Sequence, residues 1–269
     1  MRFAVIANIH GNRSALEAVL EDIESRSPNV DRVIAAGDLI GRGPEPNEVL
    51  DLLRSKTIDS ARGNYDEAVA LGLDSSGSDF AERAEEEADR VALRWTREKL
   101  TPENLEFVTT LPRNLRLSTV GQGVKVSRSR GDERIAEYRR TFIRRAVFGG
   151  LFQARPTVGR RIVVVHGSPR ALNEFVRDDT ARSILATVQN EAHADVLITA
   201  HAGNGFQREY EGMTIIGAGA ASGYGNTARY IVVNITDHIE SEFLEVEYDR
   251  EPYEFALRRS GLPAIIVQV

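Results

Sequence analysis

A chain of 269 residues, 42% hydrophobic and 28% charged, has material for one large core, and its lack of cysteine excludes disulfides, thiolate nucleophiles and Cys-based zinc sites. A formal charge of −6 argues against nucleic-acid binding over the whole surface. No apolar run approaches the roughly 18 to 20 residues of a membrane span, and Met1 leads into the first motif without the basic and apolar regions of a signal peptide, so a soluble, cytoplasmic protein with no membrane partner is expected.

Phe3 to Ile9 reads as a buried strand. Asn12 to Ser25 follows as a helix, with Leu16, Val19, Leu20 and Ile23 at the spacing of one face. Arg32 to Ala36 is a second strand, Asn47 to Ser55 a second helix behind the Pro44-Glu45-Pro46 turn, and Thr57 to Ala61 a third strand. The chain thus winds βαβαβ at its start. Residues 78–107 are acidic and helix-rich, with Pro102 opening a further helix. Beyond Pro112, Arg161 to Val165, Asp195 to Thr199, Met213 to Gly217, Arg229 to Thr236 and Glu242 to Tyr248 read as strands. No long helix is expected between these late strands, and an antiparallel or mixed second sheet is expected from them. The fold class is α/β, a four-layer α/β/β/α sandwich, in a single domain over 1–269.

Ligands in open α/β sheets gather beyond the carboxyl ends of strands. Five such ends carry metal-competent residues: Asn8-Ile9-His10-Gly11-Asn12, Gly37-Asp38-Leu39-Ile40-Gly41-Arg42-Gly43, Gly63-Asn64-Tyr65-Asp66, His166-Gly167-Ser168-Pro169 and His201-Ala202-Gly203-Asn204. Three of the five histidines sit in these loops, while His193 and His238 lie outside them and read as surface or helix-end residues. His, Asp and Asn suit Mn, Fe or Zn, which can clamp a phosphoryl group and activate water.

In order and content these segments resemble the calcineurin-like metallophosphoesterases, whose pattern is Asp-x-His, Gly-Asp, Gly-Asn-His-Asp, a His after a strand, and Gly-His-x-His. Pro44 to Val49, His166-Gly167-Ser168-Pro169-Arg170 and Arg258 to Pro263 are similar to its small prokaryotic branch of phosphodiesterases and diadenosine-tetraphosphatase-like proteins. The resemblance implies hydrolysis of a phosphomonoester or phosphodiester in a phosphorylated small molecule or nucleotide, with one or two divalent ions (Mn, Fe, Zn or Ni). One family metal site carries over whole, to Asp38, Asn64, His166 and His201. The other keeps His10 and the shared Asp38, but Asn8 stands in place of an aspartate and Gly203 in place of a histidine. An amide removes a full negative charge from beside the cations and coordinates only weakly, so this site is read as depleted.

Two further positions are catalytic candidates. Tyr65 replaces the family's catalytic histidine, and a phenol of pKa about 10 is a poor proton donor. Arg42 stands where related Ser/Thr protein phosphatases carry an arginine, whose fork suits a phosphate. These departures keep a second reading in view: an impaired relative that binds a phosphorylated ligand or partner. Residues 123–161 hold eleven Arg or Lys against three acids, with Arg139, Arg140, Arg144 and Arg145 in one expected helix. That basic stretch, at about 118–160, reads as an insertion into the family pattern. It is taken as a solvated face or a contact in a homo-oligomer, with nucleic acid as the alternative.

Overall fold

The computed structural model describes residues 1–26, 28–119, 127–128, 159–222 and 225–263. The arginine-rich helix expected around 139–145 lies outside them.

Strand β1 (Arg2–Ile6), helix α1 (Arg13–Ser25), β2 (Arg32–Ala36), α2 (Pro46–Ser55) and β3 (Asp59–Ala61) form the expected βαβαβ run. Asn12 caps α1, its Oδ1 accepting from the Ala15 N–H at 3.0 Å. Pro46 opens α2 at a position where no N–H is needed. The third strand is shorter than expected because Thr57 sits at a φ of 56°, in a turn. Helices α3 (Asn64–Leu71), α4 (Arg83–Lys99) and α5 (Pro102–Thr109) follow.

The chain then enters a second sheet through β4 (Asn114–Ser118), β5 (Ser127–Arg128) and β6 (Arg161–Val165). Helix α6 (Arg182–Ala192) leads to β7 (Val196–Thr199), β8 (Phe206–Tyr210) and β9 (Met213–Gly217). Strands β10 (Thr227–Ile235) and β11 (Ile239–Glu247) and helix α7 (Glu251–Ser260) complete the described chain.

Two expectations need correction. The last two strands join the first sheet, whose order is β11-β10-β1-β2-β3, with Phe3 opposite Val233 in an antiparallel β1–β10 pair. Alternating burial shows that a strand has an inner face, but not which sheet it enters. A helix of 11 residues, α6, also lies among the late strands. The second sheet, β5-β4-β6-β7-β9-β8, is mixed: β6, β7 and β9 run parallel, while β4 and β8 are antiparallel to their neighbours.

Strand periodicity builds the layers. In β1, Ala4 and Ile6 face a core shared with α1 and α2, while Phe3 and Val5 face the second sheet. In β6, Ile162 and Val164 meet β1 and β2 in that inter-sheet core, while Val163 and Val165 pack under α6 with Leu185 and Val188. The result is the α/β/β/α sandwich. Each of these side chains is 1% exposed or less, so each of the Val, Leu, Ile and Phe side chains contributes roughly 1.5–3 kcal/mol of burial. Among the described residues, no helix is long and apolar enough to cross a membrane.

Candidate metal centre

The carboxyl ends of β1, β2, β3, β6 and β7 open onto one crevice of about 520 Å³, lined by Asn8, His10, Asp38, Arg42, Tyr65 and His201 among others. Three of the loop residues hold positive φ: Asn8 at 53°, His10 at 50° and Asp38 at 53°. Asn, Asp and His are the side chains best tolerated there. Each turn still costs roughly 1–2 kcal/mol against ordinary backbone, which the surrounding hydrogen bonds offset. The His10 N–H donates to the Asp38 carbonyl at 3.0 Å and the Asn8 N–H to the Gly37 carbonyl at 3.0 Å.

Asp38 is the centre of the cluster. Its Oδ1 accepts from the Tyr65 N–H at 3.0 Å, capping α3, and its Oδ2 stands 3.1 Å from His166 Nε2 and 3.8 Å from His10 Nε2. Burial pushes this carboxyl up, but the adjacent His166 and the other histidines outweigh it and hold the group ionised, below the usual carboxylate range. His166 is fully buried, and its Nδ1 donates to the Ala36 carbonyl at 3.0 Å. That bond places one proton on Nδ1; burial lowers the imidazole, but Asp38 beside Nε2 outweighs it and raises the group above its ordinary value, so Nε2 shares a second proton with the carboxylate and stands 3.1 Å from His201 Nδ1. Burial and the neighbouring His166 pull His201 down to about 4, so it is neutral at pH 7. Phe175 packs on its ring at a centroid distance of 4.3 Å.

These residues fit a divalent cation. Ligand atoms of Asp38, His166 and His201 all lie within 4.8 Å of one another, and adjacent ligands of an ion with bonds of about 2.1 Å stand about 3 Å apart. Asn64 adds independent support. Both protons of its amide are spent, on the Ser76 carbonyl at 3.1 Å and Ser78 Oγ at 3.2 Å. Its Oδ1 is buried without a hydrogen-bond partner, an arrangement that costs about 1–3 kcal/mol unless something else takes the lone pair.

The depleted site differs in kind. His10 faces Asp38, with burial lowering its imidazole to about 4. Asn8, however, donates its Nδ2 proton to the Ala200 carbonyl at 3.0 Å, a bond a carboxylate could not make. At Gly203, φ is 67° and an added Cβ would meet only the Ala220 Cβ at 4.0 Å. Arg42 lines the crevice with its guanidinium 5.9 Å from the Tyr65 ring centre. The Tyr65 hydroxyl donates to Asp89 at 2.6 Å. Burial, with Asp89 beside it, drives that phenol well above its ordinary value, the wrong direction for an acid at neutral pH.

Three site residues were not singled out from sequence. Asp66, fully buried, takes backbone N–H groups of Leu39, Ile40 and Gly63 at 2.9, 3.2 and 2.8 Å and so ties two ligand loops together. Its signal was its place two residues after Asn64. Asp89 and Phe175 lie outside the loop motifs, and the only sign of Asp89 was its position on the apolar face of α4 beside Ala88, Ala92 and Leu93. His193 ends α6 and His238 sits in the β10–β11 turn, both away from the cluster.

Two facing sheets thus carry a cluster of His and Asp side chains at their strand ends. The model of the calcineurin-like phosphoesterase family matches residues 1–205, and the chain belongs to that family. It is 38% identical over 109 residues to the uncharacterized protein MJ0912 of Methanocaldococcus jannaschii, covering 40% of this chain and 41% of that one. It is 40% identical over 73 residues to serine/threonine-protein phosphatase 2 of Escherichia coli, covering 27% of this chain and 33% of the relative. In neither case does the match reach half of the relative's length. A metallophosphoesterase structure from Sphaerobacter thermophilus superposes with a TM-score of 0.64 at 23% identity, covering 99% of this chain and 96% of that one. Hypothetical protein PH1004 of Pyrococcus horikoshii does so with a TM-score of 0.73 at 20% identity, with the same coverages of 99% and 96%. These two likenesses concern the fold.

Proposed function

We propose that the protein is a divalent-metal-dependent hydrolase of phosphomonoesters or phosphodiesters, holding one ion through Asp38, Asn64, His166 and His201. The observation that carries this reading is the cluster of Asp38, His166 and His201, whose ligand atoms lie within 4.8 Å of one another; the buried, unpartnered Oδ1 of Asn64 supports it, since the next residue's N–H, that of Tyr65, bonds the Asp38 carboxylate. A bound Mn, Fe, Zn or Ni ion would polarise a phosphoryl oxygen and acidify a water. The chain's own groups do the rest. Asp38 presents its charge and His201 its lone pair without taking up a proton at pH 7, whereas His166, raised by Asp38, releases its Nε2 proton as an ion binds. Arg42 binds the phosphoryl oxygens and neutralises charge that grows on them. The Phe175 ring packs against His201 and steadies its imidazole at the crevice wall.

His10 and Asn8 border the weaker position, where the lost carboxylate and the missing imidazole at Gly203 leave little to hold a second ion. With the Tyr65 proton committed to Asp89, the leaving group takes its proton from solvent in the open crevice. Esters with acidic leaving groups, such as aryl phosphates and phosphodiesters, are therefore the favoured substrates. Phosphorylated small molecules with acidic leaving groups and nucleoside polyphosphates, whose leaving group is itself a phosphate, both meet this requirement.

Purified protein assayed with Mn on an aryl phosphodiester and an aryl phosphomonoester tests the proposal. Turnover should fall at least 100-fold in Asp38→Ala and His166→Ala, in step with loss of bound metal. Stoichiometric metal without turnover on either ester would leave a phosphate-binding relative instead.

A further inference from the structure

Asp89 is 2% exposed, and no cation lies in ion-pair range of it among the described residues. A buried carboxylate without a counter-charge is costly unless hydrogen bonds replace water, and here two hydroxyls do so. Tyr65 donates to Oδ1 at 2.6 Å and Ser76 to Oδ2 at 3.0 Å.

A serine hydroxyl has one proton, and that of Ser76 is spent on Asp89. The 3.1 Å contact between the Ser76 and Ser78 hydroxyls must then be carried by the Ser78 proton. Ser78 Oγ accepts in turn from Asn64 Nδ2 at 3.2 Å, whose other proton goes to the Ser76 carbonyl at 3.1 Å. The chain therefore runs one way, from the Asn64 amide through two hydroxyls to the Asp89 charge, and each bond polarises the next. Turning the amide over would set Asn64 Oδ1 against the Ser76 carbonyl, lone pair to lone pair. The Ser76 carbonyl thus selects the amide hydrogens on this side, and the one-way chain, in which the Ser78 proton is already spent on Ser76, keeps Ser78 from donating to Oδ1 in their place.

We propose that Asp89, acting through Ser76 and Ser78, is a positioning residue that holds the Asn64 carboxamide with Oδ1 turned toward the metal position. This rests on the reading of Asn64 as a metal ligand. The serine segment is also tied to the far side of the crevice, since Asn173 Nδ2 donates to the Gly77 carbonyl at 2.9 Å. The segment that fixes the ligand thus also walls the cleft, to which Ser78, Asp79 and Phe80 contribute.

The test is Mn affinity of the full chain, read from the electron paramagnetic resonance of free Mn, beside thermal unfolding in metal-free buffer. Ser78→Ala and Asp89→Asn should each weaken binding about 10-fold or more. Ser78→Thr, which keeps the hydroxyl, should restore it. Ser78 is only half-buried, so the metal-free midpoint of Ser78→Ala should stay within about 2 °C of the parent, and this variant decides the matter if Asp89→Asn fails to fold. Asn64→Ala is the reference arm. A parent that binds no Mn, or an Asn64→Ala protein that binds as well as the parent, removes the ligand reading and this inference with it. Weakened binding in Asn64→Ala with unchanged binding in Ser78→Ala and Asp89→Asn overturns the positioning role alone.

Discussion

Asn8 shows how one atom changes what holds two loops together. A carboxylate at that position would face the Ala200 carbonyl across about 3 Å and would need a cation between them, whereas the amide spans the gap with its own proton at 3.0 Å. The link between the β1 and β7 ends therefore persists without an ion at the first position. Asn8→Asp should destabilise the metal-free protein by about 1–3 kcal/mol, the cost of a lost donor plus an unpaired buried acceptor. Combined with Gly203→His, the same change should restore a second ion. Gly203 has the space, since an added Cβ meets only Ala220 at 4.0 Å. The positive φ there costs a histidine about 1–2 kcal/mol. Calorimetric titration should show one Mn per chain in the parent and two in the double variant. A single equivalent in both would mean that ligand charge and number do not limit the first position.

At the level of elements, the site depends on how closely the β2 and β3 loops approach each other. A Cβ on Gly63 would lie 2.0 Å from Asp38 Oδ1 and 2.2 Å from the Asp38 nitrogen, a clash with backbone that no rotamer relieves. Gly63→Ala should therefore push the β3 loop away from Asp38, break the Tyr65 N–H bond to its carboxylate and abolish Mn binding, checked by metal analysis after gel filtration of folded protein. Normal metal content in that variant would show that the approach is not needed. This dependence explains what was legible in the sequence. The meeting of Asp38, His166 and His201 was legible because each follows an apolar strand in a short glycine-containing loop that could be matched to the family pattern. Asp89 was not, because an acid on an acidic amphipathic helix reads as solvated until the facing hydroxyls of Tyr65 and Ser76 are placed. The layers were readable from apolar runs such as Ile162 to Val165. The destination of β10 was not, because pairing of Phe3 with Val233 is a contact across the whole chain that local alternation does not encode.

Across the whole molecule, the four proposed ligands divide evenly between the layers. Asp38 and Asn64 follow β2 and β3 in the first sheet, and His166 and His201 follow β6 and β7 in the second. An ion held by all four would clamp the sheets at one edge of the apolar layer between them. That layer, with Phe3, Ile34, Ile162 and Ile198 fully or almost fully buried, holds the sheets together without help, aided by the His166 bond to the Ala36 carbonyl at 3.0 Å. The chain should therefore stay folded in chelator, unlike small domains that fold only around their metal. Because the unfolded chain has no assembled site, Mn at 100 times its dissociation constant should add about 2.7 kcal/mol, or roughly 5–10 °C in unfolding midpoint for a chain of this size. Scanning calorimetry in chelator and in Mn measures the difference, and Asp38→Ala should erase it. Unfolding in chelator would show that the inter-sheet core is insufficient alone. A midpoint indifferent to Mn would show that the four side chains do not share an ion.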